Sequence, residues 1–228
     1  MRNKFDMQLQ TLEEELKKMG ELCEIAIEKA TRAIKDGDME LAQELMHSDD
    51  AIDNMERNIE RLCLKILLQQ QPVAKDLRRI SAALKMITDM ERIGDQTCDI
   101  GEIVLSSKDY RPTDIKKIGE MATAASKMVH DSITAYVEKN LELARQVVLA
   151  DDVVDRLFEE IRHVLAEEIK IDKGENGSKI LDLIMVTKYL ERIADHATNI
   201  AEWVEFSITG VHRSDIEEME ENSAAKDK

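Results

Sequence analysis

Aromatic residues make up only 3% of this 228-residue chain, which has two prolines, eight glycines and three cysteines. So few aromatics and turn-formers leave the composition of a long-helix protein. Cys23, Cys63 and Cys98 are odd in number and lack paired metal spacing, as expected of reduced thiols in a cytosolic protein. No apolar run escapes interruption by Lys or Glu for long enough to span a bilayer, and none follows Met1 as a leader would. A soluble, cytoplasmic protein without membrane insertion is the expectation. Basic residues are scarce relative to acidic ones, 32 against 48, for a net charge of −16. An acidic surface repels phosphate backbones and anionic lipid, so nucleic acid is not an expected partner.

What remains is rich in Ala, Leu, Ile, Met, Glu, Lys and Arg, the composition of long helices. Leu9, Leu12, Leu16, Met19, Leu22, Cys23, Ala26, Ile27, Ala30 and Ile34 recur every three or four positions, which predicts one amphipathic helix over 5–35. Gly37 and Asp38 supply a left-handed end and the cap of the next helix, 39–70. Pro72 suits the first turn of a third helix running to about residue 107. After the linker 109–114, three more helices are predicted over 115–139, 141–170 and 179–209, with Asn140 and the Asp172–Gly177 stretch as breaks. The sequence divides into a first three-helix bundle (1–108), a second (109–210) and an acidic C-terminal tail (211–228). The fold class is all-α, a tandem repeat of two antiparallel three-helix bundles.

The halves repeat in detail. Glu91, Arg92, Ile93, Asp95, Ile100 and Glu102 recur as Glu191, Arg192, Ile193, Asp195, Ile200 and Glu202; Asp49 and Asp53 recur as Asp151 and Asp155. On a helix, Glu91, Asp95, Asp99 and Glu102 fall within an arc of roughly 80°. Counting outward from the turns near Gln71 and Gly174 puts each aspartate pair level with its Glu/Asp motif on the neighbouring helix. Such carboxylates repel one another, and hard, oxygen-seeking cations relieve that repulsion; the alternative is a solvated acidic face. Glu160 and His163 have the Glu-x-x-His spacing of di-metal enzymes, but Arg61 stands at the matching position of the first half. His196, which aligns with Gln96, and Cys98, which aligns with Thr198, are weaker ligand candidates than the carboxylates. Arg92 and Arg192 are expected to pair with Asp95 and Asp195. Met86, Met90, Met121 and Met128 fit a core. No glycine-rich phosphate cradle or nucleophile–base arrangement is present.

The doubled Glu-Arg-Ile-x-Asp-x-x-x-x-Ile-x-Glu, its partnering Asp-x-x-x-Asp stretches, and Gln70, Gln71, Pro72 followed by Asp76, Leu77 and Arg78 resemble the PhoU family over nearly the whole chain. The resemblance implies homodimers or higher forms and multinuclear metal clusters of iron, zinc or similar ions. Manganese, magnesium and calcium also suit the donors. It further implies a non-enzymatic negative regulator of phosphate uptake and phosphate-starvation signalling, with two partners: the ATPase subunit of a phosphate ABC transporter and a sensor histidine kinase. Carried over by position, the metal ligands are Asp49, Asp53, Glu91, Asp95 and Asp99 in the first half. In the second they are Asp151, Asp155, Glu191, Asp195 and Asn199. With Asn199 in place of a third carboxylate, and Phe158 and Arg162 in place of Glu56 and Glu60, the second site is expected to be the weaker. The rivals are a regulator of another phosphate or ion transporter, a carboxylate-bridged metalloenzyme and a metal-free helical scaffold.

Overall fold

The computed structural model describes residues 2–70, 72–106 and 115–212. These form six helices and, among the described residues, no strand: α1 (Arg2–Asp36), α2 (Met39–Gln70), α3 (Ala74–Ser106), α4 (Ile115–Glu138), α5 (Leu141–Ile171) and α6 (Gly177–Thr209). The expected linker 109–114 and nearly all of the tail lie outside the described residues.

The helix ends follow local chemistry. Gly37 takes φ 61°, and Asp38 Oδ1 accepts hydrogen bonds from the amides of Glu40 (3.0 Å) and Leu41 (3.1 Å). Asn140 Oδ1 caps α5 through Leu143 N at 3.0 Å, preceded by Lys139 in the left-handed region. Gly210 closes α6 at φ 83°, where a side chain would be strained. Pro72 departs from expectation: it stands ahead of α3, and Val73 provides the first accepting carbonyl, to Leu77 N at 2.9 Å. The α1 apolar stripe is buried as predicted, except that Leu22 is only half-buried.

Cross-helix contacts fix the directions. Lys29 pairs with Glu44 and Lys117 with Glu160, so α1/α2 and α4/α5 are antiparallel hairpins. The Cys98 thiol donates to Leu45 O (3.0 Å), and a Cβ at Gly101 would lie 3.1 Å from Ala42 O, so α2 and α3 run antiparallel at close approach. Arg79 pairs with Glu13, and Cys23 Sγ lies 3.5 Å from Met90 O, so α1 and α3 are parallel. Each half is an up-down-up bundle. The halves also share one apolar core, because α1 packs on α4 and α3 on α6. All four core methionines named from the sequence are buried in it. Among the described helices, the outer ones, α2 and α5, pack only within their own halves. That leaves one groove between α2 and α3 and another between α5 and α6.

Candidate metal centres

Apolar faces set the orientation of the acidic ones. Ile52, Ile87, Ile93 and Ile100 are buried, so Asp49, Asp53, Glu91 and Asp95 are turned to the α2–α3 groove at the core's edge. Gly94 lets the helices close: a Cβ there would stand 2.8 Å from Asp49 Oδ1 and 3.0 Å from the Ile52 side chain. That oxygen of Asp49 is buried and accepts no hydrogen bond. Burial first, then the charges of Asp95, Asp53, Asp50 and Asp99, push its carboxyl up from 3.8 to about 6. Burial and neighbouring carboxylates likewise raise Glu91, and burial with Glu60 and Asp53 raises Glu56, a further acid beside the groove whose repeat counterpart is Phe158. Two guanidinium groups fence the rim: Arg57 pairs with Asp53 at 2.5 Å, and Arg92 reaches Asp95 at 2.8 Å and Glu91 at 3.5 Å. The Arg92–Asp95 pair is the one expected from spacing.

The α5–α6 groove repeats the pattern with one change. Asp151 Oδ1 is also buried without a partner, and burial followed by Asp155, Asp195, Asp152 and Glu191 pushes Asp151 to about 6. Asp155 and Asp195 are raised by burial and then by Glu191, with Lys188 opposing both shifts. Lys188, which sequence reasoning missed, ion-pairs with Glu191 and lies 5.4 Å over the Phe158 ring. Glu191 Oε2 accepts no well-angled hydrogen bond, yet the ammonium lies against it, so the contact is an ion pair. The signal was available: the uncharged Thr88 stands at the matching position of the first half.

Two expected positions serve the α3–α6 seam. Asn199 Nδ2 donates to Asp89 Oδ1 at 3.2 Å, and His196 Nδ1 lies 2.9 Å from the same oxygen. At the equivalent place across the repeat, Asp99 meets the Tyr189 hydroxyl and the charge of Arg192; burial, then Glu102 and Asp95, raise its pKa, and those two contacts only partly oppose the rise. Arg192 does not pair with Asp195 as expected: it lies over the Tyr189 ring, 5.8 Å from its centre. Glu160 and His163, which have the Glu-x-x-His spacing, are exposed, and Glu160 ion-pairs with Lys117 at 3.0 Å.

Among the described residues, no three His, Cys, Asp or Glu side chains form a ready-made cage for an ion. The donors nevertheless fit hard cations: each groove has a buried carboxylate oxygen without a donor, surrounded by further carboxylates. Arrangement and chemistry define a class, a two-repeat helical scaffold with one acidic groove per repeat.

Comparison narrows the class. The sequence profile of the PhoU domain matches twice, at residues 16–104 and 118–204. The phosphate-specific transport system accessory protein PhoU homolog of Clostridium acetobutylicum is 36% identical over 208 residues, covering 90% of this chain and 94% of that one. The PhoU homolog 1 of Thermotoga maritima is 32% identical over 209 residues, covering 90% and 89%. The crystal structure of PhoU from Pseudomonas aeruginosa superposes with a TM-score of 0.86 at 33% identity, covering 91% of this chain and all of that one. The chain belongs to the PhoU family.

Proposed function

We propose that this protein is a cytoplasmic accessory regulator of phosphate transport. It restrains phosphate uptake and phosphate-starvation signalling when phosphate is plentiful, by contacting the ATPase subunit of a phosphate ABC transporter and a sensor histidine kinase. It acts as a homodimeric adaptor and not as an enzyme. The carrying observation is end-to-end similarity to proteins named as phosphate-specific transport accessories, across both repeats. No helix among the described residues is long and apolar enough to cross a membrane, in keeping with work at the transporter's inner face. Capture of the ATPase subunit and the kinase by the tagged protein, compared in phosphate-rich and phosphate-starved cells, tests the reading. Failure to retain either partner in both conditions, with uptake unchanged on deletion, would overturn it.

In the same reading the two grooves hold metal. Asp49, Asp53, Glu91, Asp95 and Asp99 serve the first; Asp151, Asp155, Glu191 and Asp195 serve the second, with Asn199 at its seam edge. Bound cations would supply positive charge that cancels repulsion between facing helices and stiffens them as a docking surface. The support is the pair of buried, donorless aspartate oxygens. Metal analysis after mild purification, with melting in the presence and absence of chelator, tests this. Metal-free protein with an unshifted Tm on adding Mn²⁺, Fe²⁺ or Zn²⁺ would count against it.

A further inference from the structure

The helix ends flanking the α2–α3 connection set exposed aliphatic side chains beside basic ones. Leu64 (47% exposed), Leu68 (85%), Val73 (68%) and Leu77 (45%) leave large aliphatic side chains in water. Between Arg61 and Arg78 the chain carries Arg61, Lys65, Lys75 and Arg78 against a single acid, Asp76. Among the described residues none of these four cations has an ion-pair partner, in a protein of net charge −16. Arg78 Nε is moreover buried without an acceptor. An apolar patch with a basic rim suits an acidic segment carrying a few apolar side chains.

Such a segment leaves the fold at this place. Helix α6 runs antiparallel to α3 and ends at Gly210, where a Cβ would stand 3.2 Å from the Arg78 guanidinium. The next residues, 213–221, hold Asp215, Glu217, Glu218, Glu220 and Glu221 around Ile216 and Met219. Nine residues reach up to about 30 Å, ample to cross the first turn of α3. We propose that this segment docks, within its own molecule, on the apolar, basic-rimmed end of the α2–α3 hairpin. Ile216 and Met219 contact Leu68, Val73 and Leu77, and the carboxylates answer the four cations. Tethering supplies an effective concentration near ~1 mM, so even a contact of ~0.1 mM affinity is closed about ten times in eleven.

A photoreactive benzophenone amino acid at position 219 of the full chain tests this. Irradiation is expected to give cross-links within the monomer, mapped by mass spectrometry to the stretch from Leu64 to Leu77. The yield should fall about tenfold on adding Ile216→Asp, which opens the contact. It should fall likewise with Leu68→Glu, a change at a side chain too exposed to disturb folding. Cross-links to the α5–α6 hairpin, products confined to a dimer band (a second copy as the occupant), or a yield indifferent to Leu68→Glu would each overturn the proposal.

Discussion

A carboxylate that gives up water and gains only carboxylates for neighbours holds on to its proton. Asp49 and Asp151 are in that position, with pKa values of about 6 against an ordinary 3.8. Between these two values the folded chain keeps protons that the unfolded chain has lost. The stability contributed by these groups therefore falls as pH rises through that window, and the deficit persists above it. In chelator-treated protein, denaturant unfolding should show stability declining from about pH 4 to about pH 6. Asp49→Asn combined with Asp151→Asn should flatten the slope and leave the variant more stable than the parent at pH 7. Parallel profiles for parent and variant would show that the two oxygens are better solvated than their burial implies. Lys188 answers the same repulsion with a charge of the chain's own, an ammonium paired with Glu191 and near Asp155 and Asp195.

Whole helices obey simpler rules, and those rules were legible. Leu9 to Ile34 named the buried side of α1, while Gly37, Asp38 and Asn140 named breaks, because capping is decided by a residue and its next three neighbours. Level counting along antiparallel helices brought Asp49 to Gly94 and Asp95, since both helices rise equally per residue. Where partners come from the other half, sequence spacing failed. The i+3 rule offered Arg192 its own Asp195, but the Tyr189 ring and the Asp99 charge claim it, and Asp99 belongs to α3. Asn199 aligned with a ligand position yet serves Asp89, for the same reason. Lys188 escaped notice because comparing motifs compares what repeats, and the lysine does not. A capping prediction belongs here. Asp38→Ala removes the acceptor for the amides of Glu40 and Leu41 and should cost about 1 kcal/mol by denaturant unfolding. Asn140→Ala should lose a similar amount at α5; no measurable loss in either would mean that water replaces the cap freely.

The whole molecule joins two repeats through one core, with α3 against α6 and α1 against α4, so neither half offers a complete surface when cut away. Any difference between the grooves must be measured in the intact chain. The first groove gathers Asp49, Asp53, Glu91 and Asp95, with Asp99 at its seam edge, and its cations Arg57 and Arg92 lie at the exposed rim. The second gathers four, with Lys188 already among them and Asn199 turned to the seam. A metal ion entering the second groove must displace an ammonium held by Glu191 and the Phe158 ring; in the first it competes with Arg57 and Arg92, which hold Asp53, Asp95 and Glu91 from more exposed positions. Titration of chelator-stripped full chain with Mn²⁺ should therefore show a tighter and a weaker class of site. Asp49→Asn with Asp53→Asn should abolish the tighter class, and Asp151→Asn with Asp155→Asn should spare it. Lys188→Met should strengthen the weaker class by roughly tenfold, the equivalent of about 1.4 kcal/mol for removing a competing charge. Equal losses from the two double variants, together with indifference to Lys188→Met, would mean that the ammonium swings clear and the two grooves work as equals.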